Sequence, residues 1–251
     1  YQVVQELLLD PARHHRYFQM SAEEMETLLS FVGPDLTKQM TNYWTPKEPK
    51  QRLAVTLRLV IGKDSICSLA FTHCLGFGTV LQCIMETCEA IERRMLVTHW
   101  RCFFIFYYKG TFSVVLLALV DDKYCFTAIQ VGDFGRNSDD GVYANSPFGR
   151  AMASNSIKYT LLGDAAGGCF PLKPSLIRPY AGHNIMEKAF GILAARWRIL
   201  YKKINLLPCK VDTLVVATCI PHNILTKPCD LGMWLQQKGA GVRQCMKSIA
   251  I

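Results

Sequence analysis

The sequence predicts an α/β protein, with a helical N-terminal region over residues 1–99 and a strand-containing domain over residues 100–251. Three observations carry that expectation. The N-terminal region repeats apolar residues at helical spacing behind recognisable start signals. Thr111 to Val120 is an almost unbroken apolar run stopped by Asp121 and Asp122, too short to cross a membrane and suited to a strand buried on both faces. Tyr124 to Val131 is then rich in aromatic and β-branched residues, which suits a partner strand joined through a tight turn over Asp121, Asp122 and Lys123.

The first helix is marked by Ser21-Ala-Glu-Glu24, a capping box in which serine and glutamate each accept a backbone N–H that the helix leaves unpaired. Met20 and Met25 stand where a hydrophobic staple would close over it. Met25, Leu28, Leu29 and Val32 follow at helical spacing, and Pro34 is expected to stop the helix. Gln51 to Ile61 repeats the pattern with Leu53, Leu57, Val60 and Ile61 on one face and Gly62 as the terminator. A short helix over Ser65 to Phe71, a glycine-containing turn and a longer helix over Thr79 to Arg94 read as a helix-turn-helix or as a structural three-helix bundle. The outer face of that last helix offers Gln82, Glu86 and Glu89, and acids there disfavour close contact with bases.

Composition narrows the class. With 50% hydrophobic and 19% charged residues over 251 positions, the chain has core enough to fold and is not a disordered segment. Its net charge is +8 and unevenly placed. From Ala165 to Lys210 the cations Lys173, Arg178, Lys188, Arg196, Arg198, Lys202, Lys203 and Lys210 face Glu187 alone. Such a face attracts phosphate backbones, although a solvated helix face has the same composition. The 11 cysteines form no C-x-x-C pair, which suggests reduced intracellular thiols packed as small hydrophobes. Cys209, Cys219, His222 and Cys229 offer zinc-type donors but fit no spacing template. Lys109 and Gly110 interrupt the apolar stretch from Phe103 to Val120, so no membrane span is expected. The chain begins at Tyr1 rather than at Met, so no targeting segment is read from it.

The densest chemistry follows the second strand. Gly132 to Gly141, GDFGRNSDDG, holds three carboxylates and three glycines on one expected loop. Carboxylates so crowded repel one another unless a cation lies among them.

Six ordered blocks also carry a resemblance: Tyr107-Tyr108-Lys109-Gly110, FSVVLLALVD from Phe112, VGDFGRNSDDGVY from Val131, GDAAGGCFPL from Gly163, MEKAFGILAARWRI from Met186, and CIPHN from Cys219. In this order they resemble the PIF/Harbinger transposase-derived nucleases of the DDE superfamily. The resemblance implies an RNase H-like nuclease domain that cleaves DNA with divalent metal, Mg²⁺ or Mn²⁺. It implies Asp139 as the second acid of the triad and Glu187 as the third, both metal ligands. On the helical stripe of Met186, Phe190, Leu193, Trp197 and Leu200, Glu187 falls at the edge, where its carboxylate can leave the packed face. Arg196, Arg198, Lys202 and Lys203 become candidate contacts to DNA phosphates. A Myb-like DNA-binding partner and a nuclear location are implied as well.

Two departures from the family pattern stand out. Trp100 to Phe106 runs straight into Tyr107, where relatives carry the strand bearing the first acid. After Pro179-Tyr180, Ala181 to Met186 leads directly to Glu187, where relatives carry a further basic segment. Both look like internal deletions. Asp121, at a strand end, and Asp164, in the block where relatives have Asp-Glu-Ala-Phe, are the substitute or auxiliary acids, and both equally suit turn-forming or capping roles. His222 and Asn223 match the family's closing Leu-His-Asn, with Pro221 in place of the leucine and expected to strain a helix over Thr213 to Leu225. The alternative function is a catalytically inactive descendant that binds DNA or protein.

Overall fold

A computed structural model describes residues 6–7, 9–40, 46–99, 113–120, 123–134, 150, 154, 161–162, 176–177, 185–226 and 249–250. The chain divides into two compact units: Tyr1–Trp100 with Ala194–Lys202 and Thr213–Leu225, and Arg101–Leu193 with Lys203–Asp212 and Thr226–Ile251.

The first unit is built from helices α1 (Pro11–Phe18), α2 (Ala22–Leu36), α3 (Pro49–Val60), α4 (Ile66–Thr72) and α5 (Phe77–His99). The capping box forms as expected: Ser21 Oγ accepts from Glu24 N–H at 3.2 Å, and Glu24 Oε2 accepts from Ser21 N–H at 2.8 Å. Met20 and Met25 are both buried beside it.

Helix α2 does not stop at Pro34 but runs two residues further. The residue before a proline normally resists helical backbone because its Cβ meets the proline ring, and Gly33 has no Cβ. The lost hydrogen bond is offset at the helix end, where Thr37 donates both its N–H, at 3.0 Å, and its hydroxyl, at 2.8 Å, to the Gly33 carbonyl.

Helix α3 is the axis of this unit. Helices α1, α2, α4 and α5 and a later 3-10 turn all pack against it, and residues 51–60 are buried without exception. The expected one-sided apolar stripe is therefore too narrow a description. Two arginines are drawn inside and neutralised, since a buried charge persists only when paired. The Arg52 guanidinium meets the Glu86 carboxylate of α5. Arg58 pairs with Asp64, donates to the Tyr17 carbonyl at 2.9 Å and lies 3.7 Å over the Tyr17 ring.

In the second unit, β1 (Ser113–Val120) and β2 (Phe126–Phe134) form the expected antiparallel hairpin, with Val120 opposite Phe126 and Val114 opposite Phe134. The connection spans five residues rather than three, and Tyr124 takes a left-handed backbone at φ +62°. Leu116, Ala118 and Val120 share a face and are only half-buried, so burial on both faces does not hold there. Strand β5 (Ile249–Ala250) pairs with the start of β1, and β3 (Leu161–Leu162) with β4 (Leu176–Ile177) forms a short parallel pair. Across the described residues helix predominates over strand.

Helix α6 spans Ile185–Arg196 and helix α7 Pro208–Leu225, with a 3-10 turn over Arg198–Tyr201 between them. The stripe expected to run to Leu200 on one helix is cut at Trp197, whose φ of −103° and ψ of 77° leave helical geometry. Helix α7 continues through Pro221 to Leu225, with Pro221 and His222 both buried.

Candidate functional site

Of the acids singled out by sequence, Asp121, Asp139 and Asp164 lie outside the described residues. Glu187 lies on α6 near its start. One turn on, Phe190 meets Phe126 edge-on, with ring centroids 5.5 Å apart. The helix that carries Glu187 therefore touches the hairpin at Phe126, where β2 begins opposite Val120 of β1. Asp121 is the next residue in the chain after Val120, whereas Asp139 follows the opposite end of β2 by five residues.

Among the described residues no three His, Cys, Asp or Glu side chains gather into a metal-binding group. Asp139 and Glu187 have the hard oxygen donors that Mg²⁺ and Mn²⁺ prefer. Of the zinc-type donors, Cys229 lies outside the described residues, and the other three do not converge. Cys209 is exposed at the start of α7, while Cys219 and His222 are buried ten and thirteen residues further along it, about 15 and 20 Å at the helical rise. Burial also pushes the Cys219 thiol up to about 12, away from the thiolate that zinc requires.

The basic candidates separate by burial. Arg196 is not a surface contact: it is 3% exposed and donates to the Leu225 carbonyl at 3.3 Å, tying the end of α6 to the end of α7. Arg198, Lys202, Lys203 and Lys188 are exposed.

On α5, Glu86 is turned to structural use. It accepts from Lys38 at 2.7 Å and from Gln82 at 2.8 Å besides pairing with Arg52. Glu89 remains exposed. At the far end of α5, Arg93 and Arg94 pair with Asp35 of α2, and the Arg94 hydrogen bond holds the Asp35 carboxyl below its ordinary range.

Sequence reasoning missed Asp212. It is buried on α7, its Oδ1 has no hydrogen-bond partner among the described residues, and burial raises its pKa to about 6. One aspartate on a long helix carries no periodic or spacing signal, so only its surroundings could reveal it.

No single helix among the described residues is long and apolar enough to cross a membrane. Comparison with curated proteins gave no match, and comparison with solved structures gave none. A family model described as DDE superfamily endonuclease matches residues 93–223, more than half of the 251. The match begins within α5, contains the β1–β2 hairpin and Glu187, and ends at Asn223 in α7. This chain therefore belongs to the DDE superfamily endonucleases, a transposase-derived nuclease family whose catalytic domain implies DNA as substrate.

Proposed function

We propose that the chain is a Harbinger-type nuclease that cleaves DNA phosphodiester bonds with divalent metal, held by Asp139 and Glu187. The family match over residues 93–223 carries this reading, together with the order of the six blocks around those two acids. Bound Mg²⁺ or Mn²⁺ would activate a hydroxyl nucleophile and stabilise charge building on the phosphate. The chain's own contribution is to present carboxylate oxygens from a loop after β2 and from the start of α6, and to hold the DNA backbone with exposed Arg198, Lys202 and Lys203. The RNase H-like fold over residues 100–251, the helical region over residues 1–99 and the two internal deletions belong to the same reading. So do a nuclear location and a Myb-like DNA-binding partner.

The missing first acid needs a replacement, and Asp121 is the better placed of the two candidates. In the chain it directly follows Val120, whose strand partner Phe126 meets Phe190 of the Glu187 helix. Asp164 has no comparable support.

The missing acid also favours a second reading, an inactive descendant that retains nucleic-acid or protein binding. Asp139→Asn separates the two. In a nuclease it abolishes nicking of supercoiled plasmid while DNA binding holds or strengthens, because one carboxylate no longer repels phosphate. A folded parent chain that nicks nothing with either metal overturns the nuclease reading.

A further inference from the structure

Lys63 sits in the loop between α3 and α4, and its ammonium donates to the Arg16 carbonyl at the end of α1, at 3.1 Å. It is exposed, as are Arg16 and Arg198. Desolvation, and then the positive charges of Arg58, Arg198 and Arg16, hold the Lys63 pKa below its ordinary value, with Asp64 opposing them. Arg58 and Asp64 neutralise each other in a part-buried pair. Arg16, Lys63 and Arg198 form no ion pair among the described residues, so three exposed positive charges that act on one another are left without a salt-bridge partner there.

Like charges repel, so something must hold them there. Gly62 does so. It is buried with φ +74°, and a Cβ built on it would stand 2.7 Å from the Arg198 carbonyl carbon and 2.7 Å from the Ile199 nitrogen. The 3-10 turn is thus packed backbone to backbone on the residue preceding Lys63. A surface cation that merely keeps the protein soluble needs no such fixing.

We infer that Arg16, Lys63 and Arg198 form one DNA-phosphate subsite, assembled from the N-terminal helices and the 3-10 turn after α6. It rests on DNA being the chain's substrate, and it gives the helical region a share in holding the backbone that the helix-turn-helix face, with Glu86 tied into the bundle, does not supply. A duplex backbone is the matching occupant, because it presents successive phosphates to three separately anchored cations.

The test is fluorescence anisotropy of a labelled duplex oligonucleotide titrated with the full chain in EDTA, over a series of salt concentrations. The triple variant Arg16→Gln, Lys63→Gln, Arg198→Gln lowers the slope of log affinity against log salt by about 0.9 per lost contact, close to 3 in all. Its deficit against the parent therefore shrinks about 40-fold from about 50 to 200 mM salt. Arg93→Gln with Arg94→Gln, which removes two cations held by Asp35, leaves the slope near the parent's. Lys63→Arg with Arg198→Lys retains it. A triple variant with the parent's slope, an equal effect per charge at Arg93 and Arg94, or a parent that binds no duplex overturns the inference. Because metal is excluded, a chain that binds through this cluster and nicks nothing removes only the nuclease reading. One that nicks but binds without regard to the cluster removes only the subsite.

Discussion

Replacing Gly62 with alanine tests how the 3-10 turn is anchored to α3. The left-handed backbone at φ +74° costs an L-residue about 1 kcal/mol. The added methyl would meet the Arg198 carbonyl carbon and the Ile199 nitrogen, both at 2.7 Å. Neither atom can rotate aside, and overpacking of this kind costs about 1 to 3 kcal/mol. Against these stands the smaller entropy of an unfolded chain lacking that glycine, about 0.4 to 1 kcal/mol in the variant's favour. The net expectation is a loss of about 2 kcal/mol, read as a lower urea midpoint at unchanged slope. Gly62→Asn discriminates further. Asparagine tolerates the left-handed region but carries the same Cβ, so it should lose nearly as much. Because the closest atoms are backbone, Arg198→Gly should not rescue Gly62→Ala. Stability of Gly62→Ala at or above the parent's would refute the close approach.

Other expectations follow from pairs and orphaned groups. Glu86→Gln strands the buried Arg52 guanidinium and should cost about 2 kcal/mol in urea unfolding, less than a fully buried pair because Glu86 is 30% exposed. Arg52→Met, which removes the charge and keeps the stem's volume, should cost less. Asp212 titrates near 6 when folded and near 3.9 unfolded, so the folded chain holds the extra proton and its contribution to stability falls as pH rises through about 4 to 6. Asp212→Asn should raise the melting temperature at neutral pH and flatten that window, and an unchanged pH profile would count against the buried carboxylate. His14 and His73 have the reverse sign. Burial lowers both pKa values, so their contribution is complete above the ordinary histidine value and is lost as pH falls below it. His14→Gln should weaken that acid dependence in a thermal melt. Asp121→Asn should depress plasmid nicking by about a hundredfold on the reading that it completes the site, whereas Asp164→Asn should leave nicking closer to the parent's.

Local chemistry was legible from the sequence wherever neighbours in the chain decide the outcome. Ser21 and Glu24 announced a cap that forms, and the apolar runs on either side of Asp121 announced a hairpin that pairs. What could not be read depended on residues distant in sequence. Helix α3 looked one-sided because Arg52 and Arg58 are charged, and only the arrival of Glu86, Asp64 and Tyr17 makes their burial tolerable. Pro34 looked like a stop because the relief given by Gly33 and the double acceptance at its carbonyl are visible only once the helix end is built. Arg196 falls at i+7 on the buried face of Ala189, Ile192 and Leu193, and only its charge argued for the surface. For the acids, motif order named Asp139 and Glu187. The fold adds one relation, that Phe190 of the Glu187 helix meets Phe126 at the start of β2.

The most direct measurement is conversion of supercoiled plasmid to open circle by the purified chain across a Mn²⁺ titration, with Glu187→Gln run beside it. The account predicts nicking that is absent in EDTA, rises saturably with Mn²⁺ and is lost in Glu187→Gln while circular dichroism shows that variant folded. Nicking that persists in EDTA, or that Glu187→Gln retains in full, would contradict it.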